Sequence, residues 1–182
     1  MKEDICSIPI NELFEPKTGC PLCRMDKMLE DRLAEYITGA AMMEPDVRIE
    51  TNRLGFCSRH FDKITAVGSR LSVALILESH LKELEDRAFE GTETKKKLFS
   101  SPSKEAGPGE TCFICENMEK NRNHLVESLL HLWLKEPEFR ALYKEQECLC
   151  LPHSRLLLKA ASAMNRKGME EFIADTKSLS ME

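Results

Sequence analysis

Eight residues of this 182-residue chain have the types and spacing of metal ligands. Each half carries two cysteines separated by two residues, then, 34 or 35 residues later, a cysteine and a histidine separated by two residues. Structural sites hold Zn²⁺ in a closed tetrahedron of such thiolates and imidazoles. The spacing therefore predicts one Cys3His site in each half and two zinc ions per chain. The predicted ligands are Cys20, Cys23, Cys57 and His60 in the first half, and Cys112, Cys115, Cys150 and His153 in the second.

The two ligand sets repeat at a nearly constant offset along the chain. Their first cysteines lie 92 residues apart and their histidines 93 residues apart. Between the cysteines of each set, Glu-Pro-Asp-Val-Arg at 44–48 corresponds to Glu-Pro-Glu-Phe-Arg at 136–140. Self-similarity at a fixed offset indicates an internal duplication.

Other chemistries of these cysteines stay open. A C-x2-C pair also occurs as a thioredoxin-like redox pair, but that motif belongs on a βαβ framework that the sequence does not predict. Cysteines with a histidine can also hold an iron–sulfur cluster. Free buried cysteines would leave the four-ligand repetition unexplained. Cys6 and Cys148 lie outside the repeated sets and are interpreted as small apolar fillers or spare thiols.

Composition places the chain among ordinary globular proteins, with 42% hydrophobic and 31% charged residues. The N-terminal residues include acids and lack the apolar core of a signal peptide. The longest strongly apolar run, 71–77, is far shorter than the roughly 20 residues of a membrane helix. We therefore expect a cytoplasmic protein without membrane association, in which paired cysteines bind metal more often than they form disulfides. A net charge of −5 argues against nucleic acid as the main partner.

Hydrophobic periodicity predicts the helices that must position the ligands. Apolar residues recur at helical spacing from 23 to 40, and Pro45 is suited to begin the next helix. A further long helix is predicted at 71–89, and segment 8–14, which contains a proline, is predicted to be a loop packed on the first unit. The predicted apolar stripe of the long helix consists of Leu71, Ala74, Leu77, Leu81 and Leu84.

The second half is predicted to repeat this arrangement of helices. No segment shows the alternation of apolar and polar residues that is typical of a strand. We therefore predict an all-α fold of two pseudo-symmetric four-helix units, each stabilised by one Cys3His zinc site. The N-terminal unit covers 1–90 and the C-terminal unit covers 111–182. Segment 91–110, rich in Lys, Ser, Pro and Gly, predicts a flexible linker.

Other polar residues are weaker candidates for function. A cluster of opposite charges in the first half could bind an anion or a partner carboxylate, although ion pairing within the protein is the favoured interpretation. His80, His124 and His131 lack neighbouring carboxylates in a ligand pattern and are interpreted as ordinary surface or core residues. The members of the cluster are Arg48, Glu50, Asn52, Arg53 and Arg59.

These motifs resemble those of a family of uncharacterised bacterial proteins of unknown function, common in Gram-positive anaerobes. The resemblance covers nearly the whole chain and implies a bacterial protein with the two cysteine–histidine motifs, but no established activity. The matching stretches are Ile8–Asn11, Cys20–Cys23, Ala41–Asn52 and Gly55–Phe61, together with Cys112, Cys115, Cys150 and His153.

The sequence contains no Ser-His-Asp set, phosphate-binding glycine loop or catalytic acid pair. We therefore predict a non-enzymatic zinc-binding protein that acts as a binding or adaptor module for a protein partner. A thiol-based redox or metal-responsive regulator is the alternative. A metal-dependent enzyme would require a site with an open coordination position.

Overall fold

The computed structural model describes residues 8–89 and 111–180, and every regular element in these residues is a helix. The all-α prediction is confirmed for this part of the chain. Cys6 and the predicted linker at 91–110 lie outside it. The α-helices are α1 (Ile8–Phe14), α2 (Pro21–Thr38), α3 (Pro45–Leu54), α4 (Ser58–Val67), α5 (Arg70–Phe89), α6 (Phe113–Lys135), α7 (Pro137–Lys144), α8 (Leu151–Met164) and α9 (Met169–Leu179), with a short 3-10 helix (Ala40–Met43) before α3.

Proline and glycine set several helix boundaries. Pro45 and Pro137 occupy the first turns of α3 and α7, where a backbone N–H has no helical partner to lose. Gly55 ends α3 at φ +61°, a conformation that glycine adopts without the steric cost of a Cβ. A Cβ at this position would lie 2.8 Å from the His80 ring, so the close packing of α5 also requires glycine.

Segment 8–14 is a helix, so the loop predicted there is wrong. Pro9 lies in the first turn of α1, where it is compatible with helical geometry and needs no hydrogen-bond partner. The segment also packs differently from the prediction, because Phe14 contacts the rings of Phe139 and Tyr143 from the C-terminal part of the chain.

The predicted apolar stripe of α5 is also wrong. Leu71 and Leu81 are exposed, whereas Val73 and Ile76 are buried. Apolar residues occur on two faces of α5, so hydrophobic periodicity alone could not decide which face packs against the protein.

The chain divides into two compact units that differ from the predicted division at 91–110. The inner unit is Glu30–Met118, and the outer unit consists of the two flanking segments, Met1–Leu29 and Glu119–Glu182. The names refer to position along the chain. Both boundaries fall within helices, one in α2 and the other in α6. Internal duplication stays a prediction.

The core of the inner unit is aliphatic and extends to one group of predicted ligands. Side chains from α2, α3 and α4 pack around Phe113 and Ile114 at the start of α6, and Cys112 is buried among them. Burial of each large apolar side chain contributes about 1.5–3 kcal/mol to folding. The buried aliphatic members are Ala34, Ile37, Leu54 and Ile64.

The core of the outer unit is aromatic. The ring centroids of Phe14 and Phe139 lie 5.2 Å apart, those of Tyr143 and Phe172 5.1 Å apart, and those of Trp133 and Phe172 5.4 Å apart. Such pairs contribute about 0.5–1.5 kcal/mol each beyond the area that they bury. Helix α1 therefore belongs to the core of this unit through Phe14.

Candidate metal centres

The outer unit brings four predicted ligands together at the N-termini of two helices. Cys20 precedes α2 and Cys23 lies in its first turn, while Cys150 is the N-cap residue of α8 and His153 lies in its first turn. Free N–H groups at a helix N-terminus stabilise thiolates. The four ligand atoms all lie within 4.8 Å of one another, and we call this group the outer site.

The inner unit contains a second group of the same composition. Cys57 is the N-cap residue of α4 and His60 lies in its first turn, while Cys112 and Cys115 flank the start of α6. Their four ligand atoms also lie within 4.8 Å of one another, and we call this group the inner site. Each compact unit thus contains one complete Cys3His set.

The way in which the C-x2-C and C-x2-H pairs combine differs from the sequence prediction. All eight predicted ligands are brought together, but each C-x2-C pair meets the C-x2-H pair from the other half of the chain. The predicted grouping within each half, Cys20 and Cys23 with Cys57 and His60, is therefore wrong, as is the corresponding grouping in the second half. Both halves supply the same two half-sites, so their spacing is compatible with either pairing.

The interatomic distances fit a single tetrahedral ion at each site. With zinc–sulfur bonds of about 2.3 Å and zinc–nitrogen bonds of about 2.0–2.1 Å, a tetrahedron separates two sulfurs by about 3.8 Å and a sulfur from a nitrogen by about 3.6 Å. The Sγ atoms of Cys23 and Cys150 lie 3.7 Å apart, and those of Cys57 and Cys115 lie 3.9 Å apart. Sulfur to Nδ1 distances range from 3.0 to 3.6 Å. The described cysteines are all free thiols.

The short distances between the ligand atoms also help to distinguish a single metal ion from an iron–sulfur cluster. Ligand atoms within 4.8 Å of one another surround one ion, whereas the ligands of an iron–sulfur cluster are spread over several bridged irons. The thioredoxin-like alternative requires a βαβ framework, and no strand occurs in the described residues. The geometry therefore favours a single-ion site.

Each histidine lies beside a carboxylate that the sequence pattern did not indicate. Nδ1 of each ring faces the sulfurs, and Nε2 faces away from them. His153 Nε2 lies 3.0 Å from Asp26 Oδ2, and His60 Nε2 lies 3.1 Å from Glu30 Oε1. Acidic residues are common on helices, and no spacing rule distinguishes these two on α2.

Electrostatics in the outer site favour a cation. Burial raises the pKa of Cys20, but the hydrogen bond with His153 and bonds from backbone N–H groups outweigh it and lower the pKa to about 6. Burial, reinforced by Cys150 and Cys20, raises the pKa of Cys23 to about 12. The hydrogen bond with Cys20, together with Asp26, raises the pKa of His153 to about 9. Three neighbouring thiols cannot all ionise unaided, and a divalent cation would remove that conflict.

The inner site shows the same competition. Burial raises the pKa of Cys57, but a backbone hydrogen bond from His60 and bonds with the neighbouring thiols outweigh it and lower the pKa. Burial and the nearby charge of Cys112 raise the pKa of Cys115 to about 12. Burial lowers the pKa of His60, although the nearby Glu30 carboxylate acts in the opposite direction. The lowered pKa favours the neutral imidazole, which is the form that ligates metals.

The charged cluster predicted in the first half is engaged within the protein. Arg53 pairs with Glu50 at 2.7 Å, and Arg59 pairs with Glu30 at 2.7 Å. Arg48 Nη2 donates to the Leu75 carbonyl at 3.3 Å. The favoured interpretation, ion pairing within the protein, is supported for Arg53 and Arg59.

The remaining candidates lie outside both sites. His80 Nδ1 lies 2.9 Å from the Asn52 carbonyl, and His131 lies 4.0 Å from Glu127. Cys148 is half-buried. None of the described helices is long and apolar enough to cross a bilayer.

The fold and the sites define an all-α protein with two Cys3His groups that could hold metal ions. The chain belongs to DUF6062, a family of unknown function whose sequence profile matches residues 1–182. The resemblance to a family of unknown function over nearly the whole chain is thereby confirmed. Neither the curated proteins nor the solved structures give a significant match.

Proposed function

We propose that this protein is a non-enzymatic binding module whose helices are held in place by two structural zinc ions. One observation carries the proposal: each site offers a complete set of three cysteines and one histidine within 4.8 Å. Structural zinc sites have four protein ligands, whereas catalytic sites keep a position for water or substrate. A metal-dependent enzyme is less supported, because both histidines belong to complete ligand sets.

The position of the ligands along the chain supports a stabilising role. Cys23 and Cys150 are 127 residues apart in the outer site, and Cys57 and Cys115 are 58 residues apart in the inner site. Structural zinc contributes about 10–16 kcal/mol in zinc-finger peptides, compared with a net stability of about 5–15 kcal/mol for a typical domain. Two such ions would dominate the stability of these units.

Metal analysis tests the zinc assignment. Untagged protein purified under reducing conditions is expected to contain two zinc ions per chain, measured by elemental analysis and native mass spectrometry, and to retain them against a weak chelator. Iron, or fewer than two tightly held ions per chain, would contradict the proposal.

The binding role is tested at the exposed charged residues of segment 48–59. Arg53 is 52% exposed on α3, and its pair with Glu50 is weak enough to be exchanged for contacts with a partner. Arg53→Glu is expected to remove proteins that co-purify with the wild type. Lys82→Glu, the same charge change at an exposed position of α5, is expected to retain them. An identical set of partners for wild type and Arg53→Glu would count against this surface.

A redox-responsive regulator is the second candidate. It is favoured by the exposure of Cys23 and Cys115, each of which has a second thiol within 4 Å. Hydrogen peroxide would take two electrons from two thiolates, which would form a disulfide, and with two protons it would be reduced to two waters. The zinc ion would lose two ligands and leave the site.

Mild peroxide treatment tests this second candidate. Release of zinc to a fluorescent chelator, a mapped Cys23–Cys150 or Cys57–Cys115 disulfide, and recovery with thiol reductant are expected. Retention of both ions at peroxide concentrations that oxidise ordinary exposed thiols would exclude it.

A further inference from the structure

We infer that Asp26 and Glu30 are positioning residues that fix the ring orientation and the protonated nitrogen of the two histidine ligands. This inference rests on the proposed function, because it concerns the affinity of each site for its metal. It assigns a role to two acidic residues that lie outside the repeated motifs.

In the outer site, Asp26 lies between His153 and the guanidinium group of Arg122. Its Oδ2 atom lies 3.0 Å from His153 Nε2 and 3.4 Å from Arg122 Nη1. The same carboxylate oxygen therefore faces both the imidazole and the guanidinium. This arrangement fixes the plane of the ring so that Nδ1 faces Cys20, Cys23 and Cys150, at 3.0 to 3.6 Å from their sulfurs.

In the inner site, Glu30 has the same role in a more buried setting. Its side chain is only 11% exposed. Oε1 lies 3.1 Å from His60 Nε2 and 2.7 Å from Arg59 Nη2, and Oε2 lies 4.0 Å from Lys63 Nζ. A carboxylate at this depth is costly unless it is paired, and these contacts satisfy it while holding the His60 ring.

The chemistry of the imidazole explains why a carboxylate is suited to this position. A neutral imidazole has one N–H donor and one nitrogen lone pair, and an ionised carboxylate can only accept hydrogen bonds. The proton is therefore held at Nε2, which leaves the lone pair of Nδ1 for the metal. Hydrogen bonds of this kind also raise the basicity of the ligand, and their loss typically weakens metal binding by about 10–100-fold.

Asp26→Asn, Asp26→Ala, Glu30→Gln and Glu30→Ala in the full-length protein test the inference. Zinc affinities are measured by competition with a chromophoric chelator, native mass spectrometry counts the one-zinc and two-zinc species, and the histidine NMR signals show which site is filled. We expect each alanine variant to weaken one of the two binding steps about 10–100-fold and to leave the other within about twofold. The amide variants, which can still accept a hydrogen bond, are expected to show smaller losses.

The matched control is Glu35→Gln, which removes an exposed carboxylate from the same helix and is expected to leave both steps unchanged. Nitrogen-15 NMR of the histidine side chains gives a readout that a general folding defect would not produce. In zinc-loaded wild type, both ligand rings are expected to carry their proton on Nε2, and Asp26→Ala is expected to alter the His153 signals alone.

The outcomes separate the inference from the proposed function. A wild-type protein that binds no zinc would overturn the proposed function itself. Two zinc ions in the wild type, with both affinities unchanged in Asp26→Ala and Glu30→Ala, would overturn only the positioning role. An equal loss at both steps in a single variant would also contradict it, because it would indicate a general loss of folding.

Discussion

Within each candidate metal site, the cysteines differ in their exposure to solvent. Cys20 and Cys112, the first cysteines of the two C-x2-C pairs, are buried, whereas Cys23 and Cys115 are exposed. The buried members anchor each site to its unit, and the exposed members are the ones that chelators and oxidants reach first.

Substitution of one ligand tests the structural role of the proposed zinc. Cys57→Ser is expected to remove one zinc ion and lower the melting temperature, because an incomplete shell binds far more weakly. Cys148→Ser is the matched control, since Cys148 is half-buried but belongs to neither site. Metal analysis and thermal unfolding provide the measurements, and equal behaviour of the two variants would contradict the assignment.

The backbone at Gly55 leads to a second residue-scale prediction. Gly55→Ala places a side chain on a residue with φ +61° and puts its Cβ 2.8 Å from the His80 ring. Gly19 has a similar φ of +62°, but a Cβ there would meet nothing within 4 Å. Gly55 has ψ −155°, and this combination of φ and ψ is seldom adopted by residues other than glycine, so its alanine variant carries backbone strain of about 1–3 kcal/mol in addition to the close approach of His80. Chemical denaturation is expected to show a clearly larger loss of stability for Gly55→Ala than for Gly19→Ala. Equal losses would contradict the backbone conformation and the packing described for Gly55.

At the scale of helices, hydrophobic periodicity and the positions of prolines predicted the structure only where they were compatible with a single arrangement. Pro45 and Pro137 mark helix starts because their conformation and missing N–H suit the first turn. Pro9 occupies the same kind of position in α1, but the segment is too short for periodicity to identify a helix. In α5, two apolar faces compete, and only packing against α3 and α4 determines which is buried.

The packing of α1 can be tested directly. Phe14 is fully buried in the aromatic core of the outer unit, whereas Ile8 of the same helix is 42% exposed. Phe14→Ala is expected to lower the free energy of unfolding by about 3–5 kcal/mol, and Ile8→Ala by far less. Denaturant titration measures both, and a small effect of Phe14→Ala would contradict the packing of α1 described here.

At the scale of the whole chain, the eight residues that form the two Cys3His groups could be predicted from the sequence, but their pairing could not. Metal ligation requires particular side chains at close spacing, and the C-x2-C and C-x2-H motifs display both. Each motif supplies only two of the four ligands of a site. A C-x2-C pair can combine with the C-x2-H pair of either half of the chain, and the spacing is compatible with both combinations. Asp26 and Glu30 were missed because their role depends on three-dimensional proximity to a histidine, which sequence spacing does not reveal.

The observed pairing nests one site within the other along the chain. The ligands of the outer site lie at 20–23 and 150–153, and both halves of the inner site, 57–60 and 112–115, lie between them. Neither half of the chain contains a complete set of ligands from one site. Each proposed zinc ion therefore depends on residues from both halves of the sequence.

The central claim is that the chain has two zinc sites, in each of which the C-x2-C pair of one half meets the C-x2-H pair of the other half. Counting the metal ions in two double variants tests this claim most directly. Cys20→Ser with Cys150→Ser removes two ligands of the outer site, whereas Cys20→Ser with Cys57→Ser removes one ligand from each site. Native mass spectrometry is expected to find one zinc ion in the first variant and none tightly held in the second. The reverse result, none in the first and one in the second, would show that each half of the chain forms its own site and would contradict this account.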